Sequence, residues 1–191
     1  MSSPEDSDSI IKKTFSSDSE EESVAEDDNS FTKSASSVEE SFDTQRTYYI
    51  DRILPDGLTS LTFGNNFNKP ILNLPSTITN VSFGRNFNQP VDYLPVSLQS
   101  VSFGENFNQT VDRLPPNLQE IYFGDKFNQP VDLLPDSVTT IRFGRNFNQP
   151  VDNLPKNLVS LSFGDMFNQP IKNLPKTLTD ISFGDNFNQN I

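Results

Sequence analysis

The chain contains no cysteine, no histidine and no tryptophan. Without cysteine there is no disulfide and no thiolate chemistry. Without histidine or cysteine, the common zinc sites, Ser-His triads and Cys-His dyads are excluded. Basic residues are scarce too: 14 Lys and Arg stand against 26 Asp and Glu, a net charge of −12 over 191 residues. So acidic a chain repels nucleic acid and anionic membrane surfaces. No apolar run approaches the ~18 residues of a membrane-spanning helix. The opening MSSPEDSDSI has no basic stretch leading into an apolar one, so no secretory signal is read there. The expected address is intracellular and cytoplasmic.

Charge is unevenly divided. Residues 1–50 carry 13 acidic and 4 basic residues, and 51–191 carry 13 and 10. The first segment, 1–44, is rich in Ser, Asp and Glu, as in SSDSEEESVAEDDNS. Its apolar residues are too few to offset the ~1–2 kcal/mol per residue of backbone entropy, so the expectation is a disordered acidic tail. Ser17, Ser19 and Ser23 each have an acidic residue three positions on. That spacing suits an acidophilic kinase, and it also arises by chance in so biased a tail. Residues 45–53, with Tyr48, Tyr49, Ile50 and Ile53, are expected to cap the segment beginning at Leu54.

From Leu54 to Ile191 the chain is a repeat. The stretch FGRNFNQPV at 83–91 returns letter for letter at 143–151, and variants recur every 20 residues. The unit is L-P-x-x-Φ-x-x-Φ-x-F-G-x-x-F-N-x-x-Φ-x-x, with Φ aliphatic, in seven copies. A fixed period implies stacked coils whose equivalent residues form columns. Aliphatic and Phe columns would point inward, each coil covered by its neighbours. Leu61 and Phe63 alternate with small polar residues at 60 and 62, the period of a half-buried strand. Proline recurs at the positions of Pro70 and Pro75 on the other side, which argues against a second sheet or a helix there. The expected fold is therefore a mainly β solenoid: one parallel sheet from residues near 59–63 and their equivalents, an irregular Pro-containing back, and no regular helices.

Within that frame the repeated letters have structural uses. Phe63 and Phe67 begin two aromatic columns. Gly64 stands where the strand ends and is read as a turn, with φ > 0 as one reason for the glycine. Asn68, Asn88, Asn108, Asn128, Asn148, Asn168 and Asn188 are expected to form an amide ladder that satisfies inward-facing backbone groups.

The unit resembles the FNIP repeat, named for a Phe-Asn-Ile-Pro core. Here the core reads Phe-Asn-Gln-Pro in most copies, Phe-Asn-Lys-Pro at 67–70, Phe-Asn-Gln-Thr at 107–110 and Phe-Asn-Gln-Asn at 187–190. Such repeats are regarded as relatives of leucine-rich repeats, and Leu58-x-x-Leu61-x-Phe63 looks like their strand signature. The leucine-rich Asn would fall at Asn66, a row interrupted by Lys126 and Met166. The resemblance implies proteins of social amoebae and of large viruses of amoebae, so a viral member would act in host cytoplasm. Many members carry an F-box, whose helical apolar pattern residues 1–50 lack. No cofactor, no metal and no catalytic residues are implied.

The exposed strand columns are small and polar except where Glu120, Tyr122 and Arg142 cluster. Tyr and Arg are enriched at binding hot spots, which makes these three the candidate partner-binding residues. Asp92, Asp112, Asp132 and Asp152 form a carboxylate column. It fits turn residues bonding their own backbone better than a calcium site, because no Gly-x-Asp loop accompanies it. The expected function is a non-catalytic protein-interaction scaffold with an unidentified protein partner. The alternative is a self-assembling element. The sequence ends within the motif at Ile191, so homodimerisation through that coil is expected in this second reading.

Overall fold

Alternation at 60–63 becomes a short strand in every coil. The computed structural model describes Leu54, residues 57–190 and the backbone of Lys12–Phe15. Strand β1 is Lys12–Phe15 and β2 is Ser60–Phe63. Then come β3 (Asn80–Ser82), β4 (Ser100–Ser102), β5 (Glu120–Tyr122), β6 (Thr140–Arg142), β7 (Ser160–Ser162) and β8 (Asp180–Ser182). They form one 8-stranded sheet in sequence order. Every pairing is parallel, and from β2 on each residue pairs with the one 20 positions later. Six steps separate β2 from β8, and no helix occurs among the described residues. The fold is a parallel β-solenoid of about 20 residues per coil.

The middle residue of β3 to β7 is buried, as is Leu61 of β2, and Leu61, Val101 and Ile121 are wholly buried. Two stacked aromatic columns lie beside this aliphatic row. Within a coil the rings of Phe83 and Phe87 stack at 3.9 Å. Between coils Phe83 stacks on Phe103 at 5.6 Å, and Phe87 on Phe107 at 6.1 Å. Phe87, Phe107, Phe127, Phe147 and Phe167 are among the largest wholly buried side chains. Each contributes roughly 1.5–3 kcal/mol by leaving water.

The same distances reveal curvature. Equivalent atoms of neighbouring coils lie ~4.8 Å apart at the sheet. The step is 5.3–5.6 Å in the Phe63 column and 6.0–6.2 Å in the Phe67 column. Coils that spread apart away from the sheet bend the solenoid, with the strands on the inside. The strand face is therefore concave.

The back of each coil is a run of tight turns. Phe67 N–H donates to the Gly64 carbonyl at 3.1 Å, Leu94 to Val91 at 3.4 Å and Leu98 to Pro95 at 3.0 Å. Buried carbonyls at the last of these turns take hydroxyls from the next coil: Ser97 Oγ donates to Ile78 O at 2.6 Å and Ser137 Oγ to Leu118 O at 2.7 Å.

One expectation needs correcting. The glycine column has no positive φ; among the described residues the one glycine with positive φ is Gly57, at 78°. Close approach is the cause. A Cβ on Gly84, Gly104, Gly124, Gly144 or Gly164 would overlap the carbonyl group of the glycine one coil before.

One short strand is described in the N-terminal segment. Lys12–Phe15 pairs with β2, with Lys13 opposite Leu61 and Phe15 opposite Phe63. The cap expected at 45–53 lies outside the described residues, as do Ser17, Ser19 and Ser23.

Candidate functional site

The first and third residues of each three-residue strand project from the concave face because the middle one is committed to the core. Most of those outward positions are Ser, Thr or Asn. Glu120, Tyr122 and Arg142 break the pattern on β5 and β6. The structure brings all three together: Tyr122 is the register partner of Arg142, and Tyr122 Oη donates to Glu120 Oε2 at 3.2 Å. Ser100 Oγ on β4 donates to the same oxygen at 3.2 Å. Partial burial, then the Glu120 charge and hydrogen bond, raise the Tyr122 phenol above its ordinary pKa, while Arg142 acts in the opposite sense. Arg142 is exposed and makes no ion pair among the described residues. The site therefore presents an aromatic ring pinned by a carboxylate, with a guanidinium open to a carboxylate or carbonyl from outside.

Charges on the flank of this face pair with one another along their columns. Arg85 Nε lies 2.8 Å from Glu105 Oε2, and Arg145 Nε lies 3.5 Å from Asp165 Oδ2. These pairs are open to solvent, so each adds little to stability.

The Asn residues from Asn68 to Asn188 form a coil-to-coil chain. Asn68 Oδ1 accepts the backbone N–H of Asn88 at 2.8 Å, and Asn88, Asn108, Asn128, Asn148 and Asn168 each repeat the bond at 2.9 Å. The Gln of the next coil adds its amide: Gln109 Nε2 donates to Asn88 Oδ1 at 3.1 Å. A second amide chain runs beside it, Asn86 Nδ2 to Asn66 Oδ1 at 3.3 Å and Asn106 Nδ2 to Asn86 Oδ1 at 2.8 Å. It stops at Lys126, leaving Asn106 Oδ1 buried without a partner.

On the back, Asp112, Asp132 and Asp152 are exposed and Asp92 is half-buried. Asp132 Oδ1 accepts from Asn153 Nδ2 at 3.2 Å. Among the described residues no group of three or more carboxylates gathers closely enough to hold a metal ion. An open groove of about 540 Å³ lies here, lined by Asp132, Asp136, Asp152, Lys156, Leu174 and Lys176 among others. Lys156 Nζ bridges Asp136 at 2.8 Å; that hydrogen bond lowers the Asp136 pKa and raises that of Lys156.

Sequence reading missed a group on this side. Tyr93 and Leu133 are each 65% exposed and Val96 is 59% exposed. The column of Tyr93 reads Asn73, Tyr93, Arg113, Leu133, Asn153, Asn173. Three consecutive departures from Asn are the signal that was there to find.

With seven coils on one Phe-Asn spine, the lineage can be decided. The family described as FNIP Repeat matches residues 50–86, 71–106, 107–144, 130–166 and 167–191. The chain belongs to the FNIP repeat family. Among solved structures it is similar to CroV588 of a giant virus, described as a novel circular LRR protein structure. The two share 41% identity with a TM-score of 0.59, over 72% of this chain and 25% of that one. The present chain thus matches a quarter of that protein's length. Among curated proteins none matches. FNIP repeats and leucine-rich-like folds are typically non-enzymatic. No helix among the described residues is long and apolar enough to cross a membrane.

Proposed function

We propose that this FNIP repeat chain is a non-catalytic protein-interaction scaffold whose protein partner docks on the concave strand face at Glu120, Tyr122 and Arg142. The observation that carries this reading is the Ser100–Glu120–Tyr122 hydrogen-bonded group. It fixes an aromatic side chain beside an open guanidinium on an otherwise plain hydroxyl surface. A ring held in one rotamer loses less entropy on binding than a free one, and Tyr and Arg are the common anchors of protein interfaces. The test is quantitative recovery of partners from a cell lysate by the full chain and by Tyr122→Ser with Arg142→Ser. A partner held by the first and lost by the second, with unchanged circular dichroism, supports the face. Equal recovery rejects it.

A further inference from the structure

The exposed group opposite the strand face has the composition of a docking surface. Tyr93 and Val96 sit three residues apart on successive turns, and Leu133 lies two coil steps along the Tyr93 column. Between them come Arg113 and Pro116, both exposed. Asn117 Nδ2 donates to the Val96 carbonyl at 3.0 Å, which ties this turn to the next coil and holds the surface in shape. None of these apolar side chains helps the core, since Leu94, Leu114 and Leu134 pack there instead. Elsewhere the Tyr93 column is Asn, and the Val96 column is Ser, Asp or Lys. Apolar outliers in consecutive coils, each more than half exposed where equivalent positions are mostly polar, mark a candidate interface.

Charge decides what fits. Asp92, Asp112 and Asp132 run immediately beside the apolar column, with Arg113 as the one cation among those two columns in these coils. This excludes nucleic acid and anionic bilayers. An extended segment running along the solenoid axis advances roughly 6.8 Å per two residues. The step per coil is 6.0–6.2 Å already at the buried Phe67 column, so alternate side chains of such a segment can follow successive coils. We infer that Tyr93, Val96 and Leu133 form a second docking surface, distinct from the strand face, which takes an extended protein segment of alternating apolar and basic residues.

The probe is a fluorescein-labelled octapeptide of alternating Leu and Lys, compared with its counterpart in which every Lys is Glu, each titrated with the full chain. The key variant is Tyr93→Asn with Leu133→Asn, which installs the residue that the other coils already carry and so keeps the fold. The basic peptide is expected to bind saturably, and at least tenfold more weakly to the Asn variant. Binding should weaken in ~0.5 M salt, which screens exposed charges beyond a few ångströms. It should not change with Tyr122→Ser plus Arg142→Ser. Equal binding by wild type and the Asn variant overturns the inference. So does equal binding of the acidic peptide. Concentration-dependent self-association abolished by the Asn variant would make a second copy the occupant, and would overturn it as well.

Discussion

The backbone of Gly124 lies against the carbonyl of Gly104, so closely that a Cβ on Gly124 would overlap it and crowd the Glu105 nitrogen. Both obstacles are backbone and cannot rotate away. Gly124→Ala must push two coils apart where they are otherwise in van der Waals and hydrogen-bond contact. The expected cost is about 3 kcal/mol, read as a lowered urea midpoint. Gly57→Ala meets nothing within 4 Å but has a φ of 78°. Its cost should stay near ~1 kcal/mol, from strain alone.

Asn128 carries the next prediction. Its Oδ1 accepts both the Asn148 N–H, at 2.9 Å, and Gln149 Nε2, at 3.2 Å. Asn128→Ala removes the acceptor and leaves the backbone donor unpaired, at about 1–3 kcal/mol. Asn146 is exposed, and Asn146→Ala should cost under about 0.5 kcal/mol. Equal melting shifts for the two would remove any special role from the Asn128 chain.

The columns were legible because a fixed period makes each residue's surroundings a copy of itself. Once Leu61 and Phe63 are read as a strand, stacking follows for all their equivalents. Gly64 was harder: an unvarying glycine signals a backbone constraint, but a single sequence does not distinguish a dihedral angle from a close neighbour. Lys12–Phe15 lies outside the repeat, so no 20-residue period announces it. At the strand face, the outlying residue types were visible in the columns, whereas the shared Glu120 acceptor depends on rotamers. Tyr93 and Leu133 are outliers in an Asn column, but whether a loop position is exposed or buried depends on the fold around it.

Lys126 interrupts the chain of side-chain amides and leaves Asn106 Oδ1 without a donor. Lys126→Asn places an Nδ2 one coil beyond Asn106, where Asn106 itself meets Asn86 at 2.8 Å. The variant should be more stable by about 1 kcal/mol, seen as a raised thermal midpoint. An unchanged or lower midpoint would mean that the lysine contributes as much as the missing bond.

Strand β1 makes a prediction about the edge of the sheet. It covers β2 over Ser60–Phe63. Deleting residues 1–16 should raise amide exchange in that strand about tenfold while leaving β5 to β7 unaffected. Unchanged exchange at Ser60–Phe63 would show that the pairing adds no protection.

Tyr122 supplies the pH dependence. Its phenol titrates above its ordinary value in the folded chain, through partial burial first and then the charge and hydrogen bond of Glu120. Between the unfolded and folded pKa values the native state therefore holds more protons than the unfolded state. Linkage then fixes the sign: the contribution to stability is fully present below the unfolded value of about 10, and is lost as pH rises through the folded one. Spectrophotometric titration of phenolate absorbance should show a component above the usual phenol range. Tyr122→Phe should remove that component. Glu120→Gln should move it down, because it takes away the charge while leaving an acceptor. Arg142→Ser should move it further up, since the guanidinium favours the phenolate. An upward move with Glu120→Gln, or none with Arg142→Ser, would mean that Tyr122 is not held between these two residues in solution, and the strand-face site would lose its anchor.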